Sequence, residues 1–389
     1  NDKRVDVNKT NKDGETPFYI AYYCRYLEIV KLLLNDQRID VNKANKDRET
    51  LLSIACYYNG REIVKLLLND NRVDINKRNK DGETPFWIAC YRGQFEIVEM
   101  LLNDERIERN QTTKNGQTPF YIACQNGHIG IVGLLNGNQN IKRIGINDLN
   151  ETDIENRTPF WIACQKGRTE IVKLLLNTKQ ININQSNKDG ATPLFIACKN
   201  RHLEVVRLLL NNDEVEINQP NNDNETPFHV ACQNIAYRNM PECNSWYSYF
   251  SFSKEIVIEI VKLLLEDERT DVNRSFFDDK TPFYIACEEG HIDIVKLLLN
   301  DQKVDVNKPN KDGITPFLIV CQREDIDIMK LLLDDIRIDV NKGNNDGQTA
   351  LLIACQNEQV RIMTLLLENK RVDLNKADKF GQTPFLIVC

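Results

Sequence analysis

The sequence contains few of the residues on which most catalytic and cofactor sites depend. Only four of its 389 residues are histidine, which leaves little capacity for acid–base catalysis or for zinc binding. It has no glycine-rich phosphate-binding motif, no His-Glu-x-x-His motif and no Gly-x-Ser-x-Gly nucleophile motif. These absences predict a non-catalytic protein that has no cofactor and no metal ion.

The chain also lacks a long apolar run and a strong excess of one charge. No apolar segment approaches the ~18–20 residues that a membrane-spanning helix needs, so we expect no membrane insertion. Fifty basic and 57 acidic residues give a formal net charge of −7. This charge argues against general nucleic-acid binding, because nucleic-acid-binding domains are normally basic.

One threonine recurs at a fixed spacing along the whole chain. Eleven threonines, most of them in a Thr-Pro-Phe triplet, are 34 residues apart, except for one interval of 40 and one of 55. This regular recurrence is the signature of a repeat array, and we number the repeats one to eleven by these residues. They are Thr16, Thr50, Thr84, Thr118, Thr158, Thr192, Thr226, Thr281, Thr315, Thr349 and Thr383.

Each repeat carries the same order of helix signals, which the fourth repeat shows clearly. Thr118 is a favourable N-cap, and Pro119 fits the first helical turn because no backbone N–H is needed there. Gly127 is suited to end this helix in the left-handed conformation. Residues 131–135 then supply the apolar stripe of a second helix. Neither helix is long enough to be stable alone, so we expect the repeats to stack into one continuous core.

The order of these motifs resembles the ankyrin-repeat family. Thr-Pro, Ala-Cys, Gly-His, Ile-Val-x-Leu-Leu and Asp-Val-Asn follow one another, as in residues 118–135 and 6–8, and the pattern covers essentially the whole chain. The resemblance implies an all-α solenoid of eleven helix-turn-helix units with short β-hairpin fingers at one edge. It also implies that a protein partner binds to a concave face, which the fingers and the exposed positions of the first helices form.

Two irregularities interrupt the single array that we predict over residues 1–389. Residues 136–149 lengthen the connection after the fourth repeat, and residues 235–255 form an insertion within the seventh repeat. The insertion is rich in aromatic residues, including Trp246 and Tyr247. We interpret it either as a partner-binding surface or as a segment that packs on the seventh and eighth repeats. The terminal repeats are incomplete, so we expect the native polypeptide to continue beyond one or both ends.

Cysteine recurs as regularly as threonine. Ten of the twelve cysteines occupy one repeat position, and equivalent positions in stacked helices are about 8–10 Å apart, too far for a disulfide. The pattern predicts buried free thiols and therefore a reducing compartment, the cytoplasm. These cysteines are Cys56, Cys90, Cys124, Cys164, Cys198, Cys232, Cys287, Cys321, Cys355 and Cys389.

An asparagine also recurs once in every repeat, as Asn8 and Asn42 show. Amide side chains satisfy several backbone groups at once, so this row predicts a hydrogen-bonded ladder that connects successive repeats. A second interpretation is asparaginyl hydroxylation, because the context of Asn42 resembles the acceptor context known in ankyrin repeats.

The end of the first helix distinguishes the first three repeats from the later ones. Its exposed positions are mainly aromatic in repeats one to three and polar afterwards. Tyrosine and arginine dominate interface hot spots, so we predict a partner-binding groove formed by Tyr23, Tyr57, Tyr58, Tyr91 and Arg92. The finger-tip residues Lys12, Lys46 and Lys80 complete this predicted site. The alternative is that the tyrosines only cover neighbouring helix ends while their hydroxyls reach water.

The sequence as a whole predicts a protein–protein interaction scaffold or adaptor. One alternative is a targeting segment of a larger enzyme or channel whose active domain lies outside this chain. Another is a purely structural spacer without a saturable ligand. The sequence does not identify the partner.

Overall fold

Pairs of short helices, joined by turns, make up the structure of this protein. The computed structural model describes residues 5–137, 149–178, 180–233 and 247–388, with the backbone alone for residues 247–253 and 388. Within these ranges no residue belongs to a β-strand. The predicted all-α fold of stacked helix pairs is therefore confirmed. The chain divides into two units, Asn1–Lys188 and Asp189–Cys389, which we describe separately.

Unit one contains repeats one to five, each with a first and a second helix. The first helices are Pro17–Tyr23, Leu51–Tyr57, Pro85–Arg92, Pro119–Asn126 and Pro159–Gln165. The second helices are Leu27–Leu34, Arg61–Leu68, Phe95–Leu102, Ile129–Gly137 and Thr169–Leu176. Each first helix packs against the first helix of the next repeat, and the second helices do the same from the second repeat onward.

Unit two contains the remaining repeats. Its first helices are Pro193–Lys199, Pro227–Gln233, Pro282–Glu289, Pro316–Gln322, Ala350–Gln356 and Pro384–Val388. Its second helices are Leu203–Leu210, Tyr247–Glu266, Ile292–Leu299, Ile326–Asp334 and Val360–Glu368, and Phe277–Asp279 forms a short 3-10 helix.

The two predicted irregularities are described only in part. The second helix of the seventh repeat begins at Tyr247, so residues 247–255 of the predicted insertion have a helical backbone. The rest of the insertion, including Trp246, lies outside the described residues, and so do residues 138–148 of the lengthened connection.

The Thr-Pro pair begins the first helices as the sequence predicts. Thr16 has an extended backbone, and its hydroxyl oxygen accepts a hydrogen bond from the backbone N–H of Tyr19 at 3.2 Å. Pro17 occupies the first turn, where a missing N–H costs nothing. Loss of one such cap typically costs about 1 kcal/mol. In the fourth repeat, the helix ends at Gly127 with a φ of 85°, a conformation that glycine adopts without steric cost.

The apolar stripes of the paired helices form the core of each unit. In the second repeat, Ala55, Cys56, Val64 and Leu67 are fully buried. Burial raises the pKa of the Cys56 thiol well above its ordinary value, so the thiol stays neutral and packs as a small apolar group. The ten cysteines within the described residues are free, and most of them are buried.

The fingers are single tight turns rather than the β-hairpins that we predicted. In the first finger, the backbone N–H of Asn11 donates to Glu15 O at 3.0 Å, and that of Gly14 donates to Asn11 O at 3.1 Å. The side-chain oxygen of Asn11 accepts from the backbone N–H groups of Asp13 and Glu15, both at 2.9 Å. Because one amide side chain satisfies these N–H groups, the finger closes without paired strands.

The recurring asparagine connects successive repeats, which confirms the predicted ladder. Asn42 Nδ2 donates to Arg72 O at 2.7 Å, and Asn42 Oδ1 accepts from the backbone N–H of Asp74 at 2.7 Å. One side chain thus satisfies two backbone groups of the next repeat. The same pair of bonds recurs at Asn8, Asn76, Asn150, Asn218, Asn273, Asn307 and Asn341.

An arginine in the loop after the second helix caps the second helix of the preceding repeat. Arg72 Nη2 donates to Leu34 O at 2.7 Å, and Asp70 holds the same guanidinium at 2.6 Å. Leu34 is the last residue of its helix, so its carbonyl has no partner inside that helix. Equivalent caps come from Arg106, Arg269, Arg337 and Arg371.

Candidate protein-interaction site

The predicted tyrosines lie where the first helices of repeats one to three end. Tyr23 and Tyr57 are the last residues of their helices, and Tyr91 is one residue from the end of its own. The two residues before Tyr57, Ala55 and Cys56, are fully buried. The tyrosines therefore fall on the part of the helix that the core leaves uncovered.

Four tyrosines and one arginine form what we call the tyrosine surface: Tyr23, Tyr57, Tyr58, Tyr91 and Arg92. The ring centroids of Tyr23 and Tyr58, which come from adjacent repeats, are 6.2 Å apart, and those of Tyr57 and Tyr58 are 4.9 Å apart. The Arg92 guanidinium lies over the Tyr57 ring, 4.3 Å from its centroid, and Arg92 Nε donates to Tyr57 O at 3.3 Å. Edge-to-face and cation–π contacts of this kind hold the side chains in place.

Tyr91 continues this surface into the third repeat. Its ring stacks on that of Trp87, with 5.4 Å between the centroids and 7° between the planes. Its backbone carbonyl accepts a hydrogen bond from Asn126 Nδ2 at 2.9 Å. Tyr91 is therefore held by its own repeat and by the next one.

The rings of the tyrosine surface remain open to solvent. The exposed fraction is 48% for Tyr23, 37% for Tyr57, 58% for Tyr58 and 39% for Tyr91. The ring contacts fix the positions of the side chains without covering them. The alternative interpretation, that the tyrosines cover neighbouring helix ends, accounts for only part of their surface.

A cleft of about 530 Å³ adjoins the tyrosine surface between repeats one and two, and its size is within the usual range for ligand pockets. Sequence reasoning identified only two of its main lining residues, Tyr23 and Tyr58. It missed Tyr22, Arg25, Tyr26 and Gly60, which also line the cleft.

The cleft depends on two residues, Tyr22 and Gly60, that are unusual at their repeat positions and that face each other. Tyr22 occupies the position that is cysteine in the other ten repeats. Gly60 occupies a facing position of the next repeat, and a Cβ there would lie 2.7 Å from the Tyr22 hydroxyl oxygen. Glycine thus makes room for the larger ring. The sequence alone could have pointed to Tyr22, because it is the only residue at this repeat position that is not cysteine.

The hydroxyls of Tyr22 and Tyr23 keep their protons at physiological pH. Burial raises the pKa of Tyr22 to about 12, and it also raises the pKa of Tyr23. Each hydroxyl is therefore available as a hydrogen-bond donor. Arg25 and Arg92 bring positive charge to the site, and neither pairs with a carboxylate in the part of the chain that the structure describes. The carboxylates of Glu49 and Glu15 also act on the Tyr23 hydroxyl and contribute to its raised pKa.

The predicted finger lysines lie at the opposite end of the first helices. Lys12, Lys46 and Lys80 are exposed on the fingers, ahead of the capping threonines. The first helices of repeats one to three begin after these fingers and end at the tyrosines or one residue beyond them. Lys80 Nζ also pairs with Asp47 at 3.1 Å. The structure therefore brings the predicted tyrosines and Arg92 together and leaves the lysines apart from them.

Two further observations concern the other predicted features. Within the described ranges, no group of three or more His, Cys, Asp or Glu residues is arranged to hold a metal ion. In the same ranges, no helix combines the length and the apolar character needed to cross a membrane. Trp246 and the side chain of Tyr247 lie outside the described residues, so a role for the insertion stays a prediction.

Stacked helix pairs and a hydrogen-bonded ladder between them define a helical repeat protein. The family model described as ankyrin repeats (3 copies) matches residues 3–79, 52–144, 134–221, 179–243, 250–310 and 302–378. These matches cover most of the chain, so the protein belongs to the ankyrin-repeat family. Ankyrin repeats are generally protein–protein interaction modules and are typically non-catalytic. Comparison with curated proteins found no match.

Proposed function

We propose that this protein is a scaffold or adaptor that binds a protein partner through the tyrosine surface. One observation carries the proposal: tyrosines from three consecutive repeats are fixed by ring and arginine contacts and yet keep between 37% and 58% of their surface exposed. A rigid aromatic side chain contributes a large contact area to an interface at a low cost in conformational entropy.

A cytoplasmic location is part of this proposal. The free thiols of the core support it, because proteins in oxidising compartments normally carry their cysteines as disulfides. Two other interpretations stay predictions: that the chain is a targeting segment of a larger enzyme or channel, and that Asn42 is hydroxylated.

The repeats themselves supply conservative substitutions with which to test the proposal. Glutamine occupies the position of Tyr23, Tyr57 and Tyr91 in several other repeats, as Gln125, Gln165, Gln322 and Gln356. The triple variant Tyr23→Gln, Tyr57→Gln, Tyr91→Gln therefore places a side chain that this helix end already accepts elsewhere. The matched control variant is Gln125→Ala, Gln322→Ala, Gln356→Ala.

Affinity enrichment from an extract of the source cells, followed by quantitative mass spectrometry, compares the wild type with both variants. We expect the wild type and the control to recover a common partner, and the triple tyrosine variant to recover at least about tenfold less of it, because hot-spot losses are of this size. Equal recovery by all three proteins would remove the tyrosine surface as the binding site. Circular dichroism verifies that each variant is folded.

A further inference from the structure

The tyrosine surface has a spacing that constrains the shape of its ligand. Tyr23, Tyr57 and Tyr91 occupy the same position in consecutive repeats, and packed helices are about 8–10 Å apart. A polyproline II helix has three residues per turn and rises about 3.1 Å per residue, which is about 9 Å per turn. One turn of a ligand in this conformation therefore spans one repeat.

The chemistry of the site also suits a polyproline II ligand. Such a segment has no internal hydrogen bonds, so its carbonyls are free to accept, and aromatic-lined grooves are the usual sites that bind it. The hydroxyls of Tyr22 and Tyr23 carry their protons at physiological pH, as tyrosine hydroxyls ordinarily do. They are therefore available as donors to these carbonyls.

The charges of the turns at this site favour an acidic ligand over a basic one. The turns between the two helices of repeats one to three, residues 22–26, 57–60 and 91–94, contain Arg25 and Arg92 and no acidic residue. Among the acidic residues on the helices that follow, two are paired with cations: Glu28 with Lys31 at 2.8 Å and Glu96 with Arg61 at 2.9 Å.

The equivalent turns of repeats eight to ten have the opposite charge, with Glu289, Glu324 and Glu358. Arg25, Glu324 and Glu358 occupy the same repeat position, and their φ angles are 59°, 55° and 55°. The backbone is thus alike at this position, and the side-chain charge is what differs between the two regions.

We propose that the tyrosine surface binds an extended, proline-rich segment of the partner protein that carries acidic residues. Proline rings pack on Tyr23, Tyr57 and Tyr58, and carboxylates pair with Arg25 and Arg92. The cleft between repeats one and two receives one side chain of the segment. This inference rests on the proposed function and specifies the chemistry of the partner.

The test selects random peptides of about 12 residues, long enough to span three repeats, displayed on phage, against the immobilised full chain. Four proteins are compared. They are the wild type, the triple variant Tyr23→Gln, Tyr57→Gln, Tyr91→Gln, the double variant Arg25→Glu, Arg92→Glu, and the control Glu324→Arg. The double variant introduces residues that repeats eight to ten carry at these positions, and the control reverses the charge at the position equivalent to Arg25.

We expect peptides that combine proline with aspartate or glutamate to be enriched on the wild type and on the control. Enrichment should fall at least about tenfold on both the tyrosine and the arginine variants. If the enriched peptides were basic or lacked proline, and their enrichment were lost on the tyrosine variant, this inference would be overturned and the proposed function would stand. If the wild type and the tyrosine variant enriched the same peptides equally, or if neither enriched any, the result would count against both this inference and the proposed function. Thermal unfolding of each variant identifies a loss that comes only from misfolding.

Discussion

Repeats one to three and repeats eight to ten have the same scaffold and differ at the turn between the two helices. The ladder bond from Asn42 to Arg72 O is 2.7 Å in the first region, and that from Asn307 to Arg337 O is 2.6 Å in the second. At the end of the first helix, however, the first region has tyrosines and the second has Glu288, Gln322 and Gln356. The ladder side chains are thus alike in the two regions, whereas the side chains at the turns differ.

The largest expected effect is a pH dependence of the free energy of unfolding, which comes from a buried histidine in unit two. His229 is fully buried, and burial lowers its pKa from 6.5 to about 4. Below pH 6.5 the unfolded chain binds a proton that the folded chain does not bind until about pH 4. The contribution of this group to stability should be constant above pH 6.5 and should fall by about 3 kcal/mol as the pH drops to about 4.

The matched control for this prediction is His229→Leu, because Leu318 and Leu352 occupy the same repeat position. Denaturant unfolding across the pH range should show a smaller loss of stability with acid in the variant than in the wild type. The same pH dependence in both proteins would mean that His229 titrates alike in the folded and unfolded chains.

The next effect tests whether the ladder stabilises the two regions equally. Asn42→Ala and Asn307→Ala each leave a carbonyl and an N–H of the next repeat without their partner, so each should lower the free energy of unfolding by about 2 kcal/mol. The control is Asn375→Ala, whose side chain makes no ladder bond within the described residues. It should change stability by less than about 0.5 kcal/mol. A clear difference between the first two variants in denaturant unfolding would show that the scaffolds are not equivalent.

A smaller effect concerns the one loop of repeats eight to ten where lysine replaces the capping arginine. Lys303 occupies the position of Arg72, Arg337 and Arg371. The guanidinium offers several donors in a fixed geometry, whereas the ammonium is a single point charge. Lys303→Arg should raise the free energy of unfolding by about 1 kcal/mol, and Arg337→Lys should lower it by about the same amount. The cap would have no stabilising role if neither variant shifted the unfolding midpoint.

The smallest effect separates binding from stability. Tyr23→Gln and Gln322→Tyr exchange the residues of the two regions at one half-exposed position. Each should change the free energy of unfolding by less than about 0.5 kcal/mol, which thermal unfolding measures. A loss of about 2 kcal/mol or more from Tyr23→Gln would favour the interpretation that the tyrosines cover helix ends.

Most of the scaffold was predictable from sequence because its signals are local. Thr118, Pro119 and Gly127 lie within ten residues of one another and specify where one helix starts and stops. The fingers were predicted less well. An Asn-x-x-Gly-Glu segment such as residues 11–15 suits both a hairpin and a single turn, and the side-chain bonds of Asn11 decided between them.

The candidate site was only partly predictable from the sequence. The sequence shows that Tyr22 replaces the recurring cysteine, but the cleft that results also depends on Gly60, which lies in the next repeat. The finger lysines were grouped with the tyrosines because the ankyrin resemblance implies one concave face formed by the fingers and the first helices. The two sets lie at opposite ends of the first helices.

The sequence by itself determined the repeat, the helix pairs, the buried cysteine row and the ladder asparagine, because a pattern that recurs every 34 residues reports on each repeat's local structure. Only the tertiary structure decided which exposed side chains meet. Tyr23 and Tyr58 are 35 positions apart in the chain, yet their ring centroids lie 6.2 Å apart. Contacts of this kind depend on how one repeat is placed against the next, and that placement comes from packing across the whole interface between them.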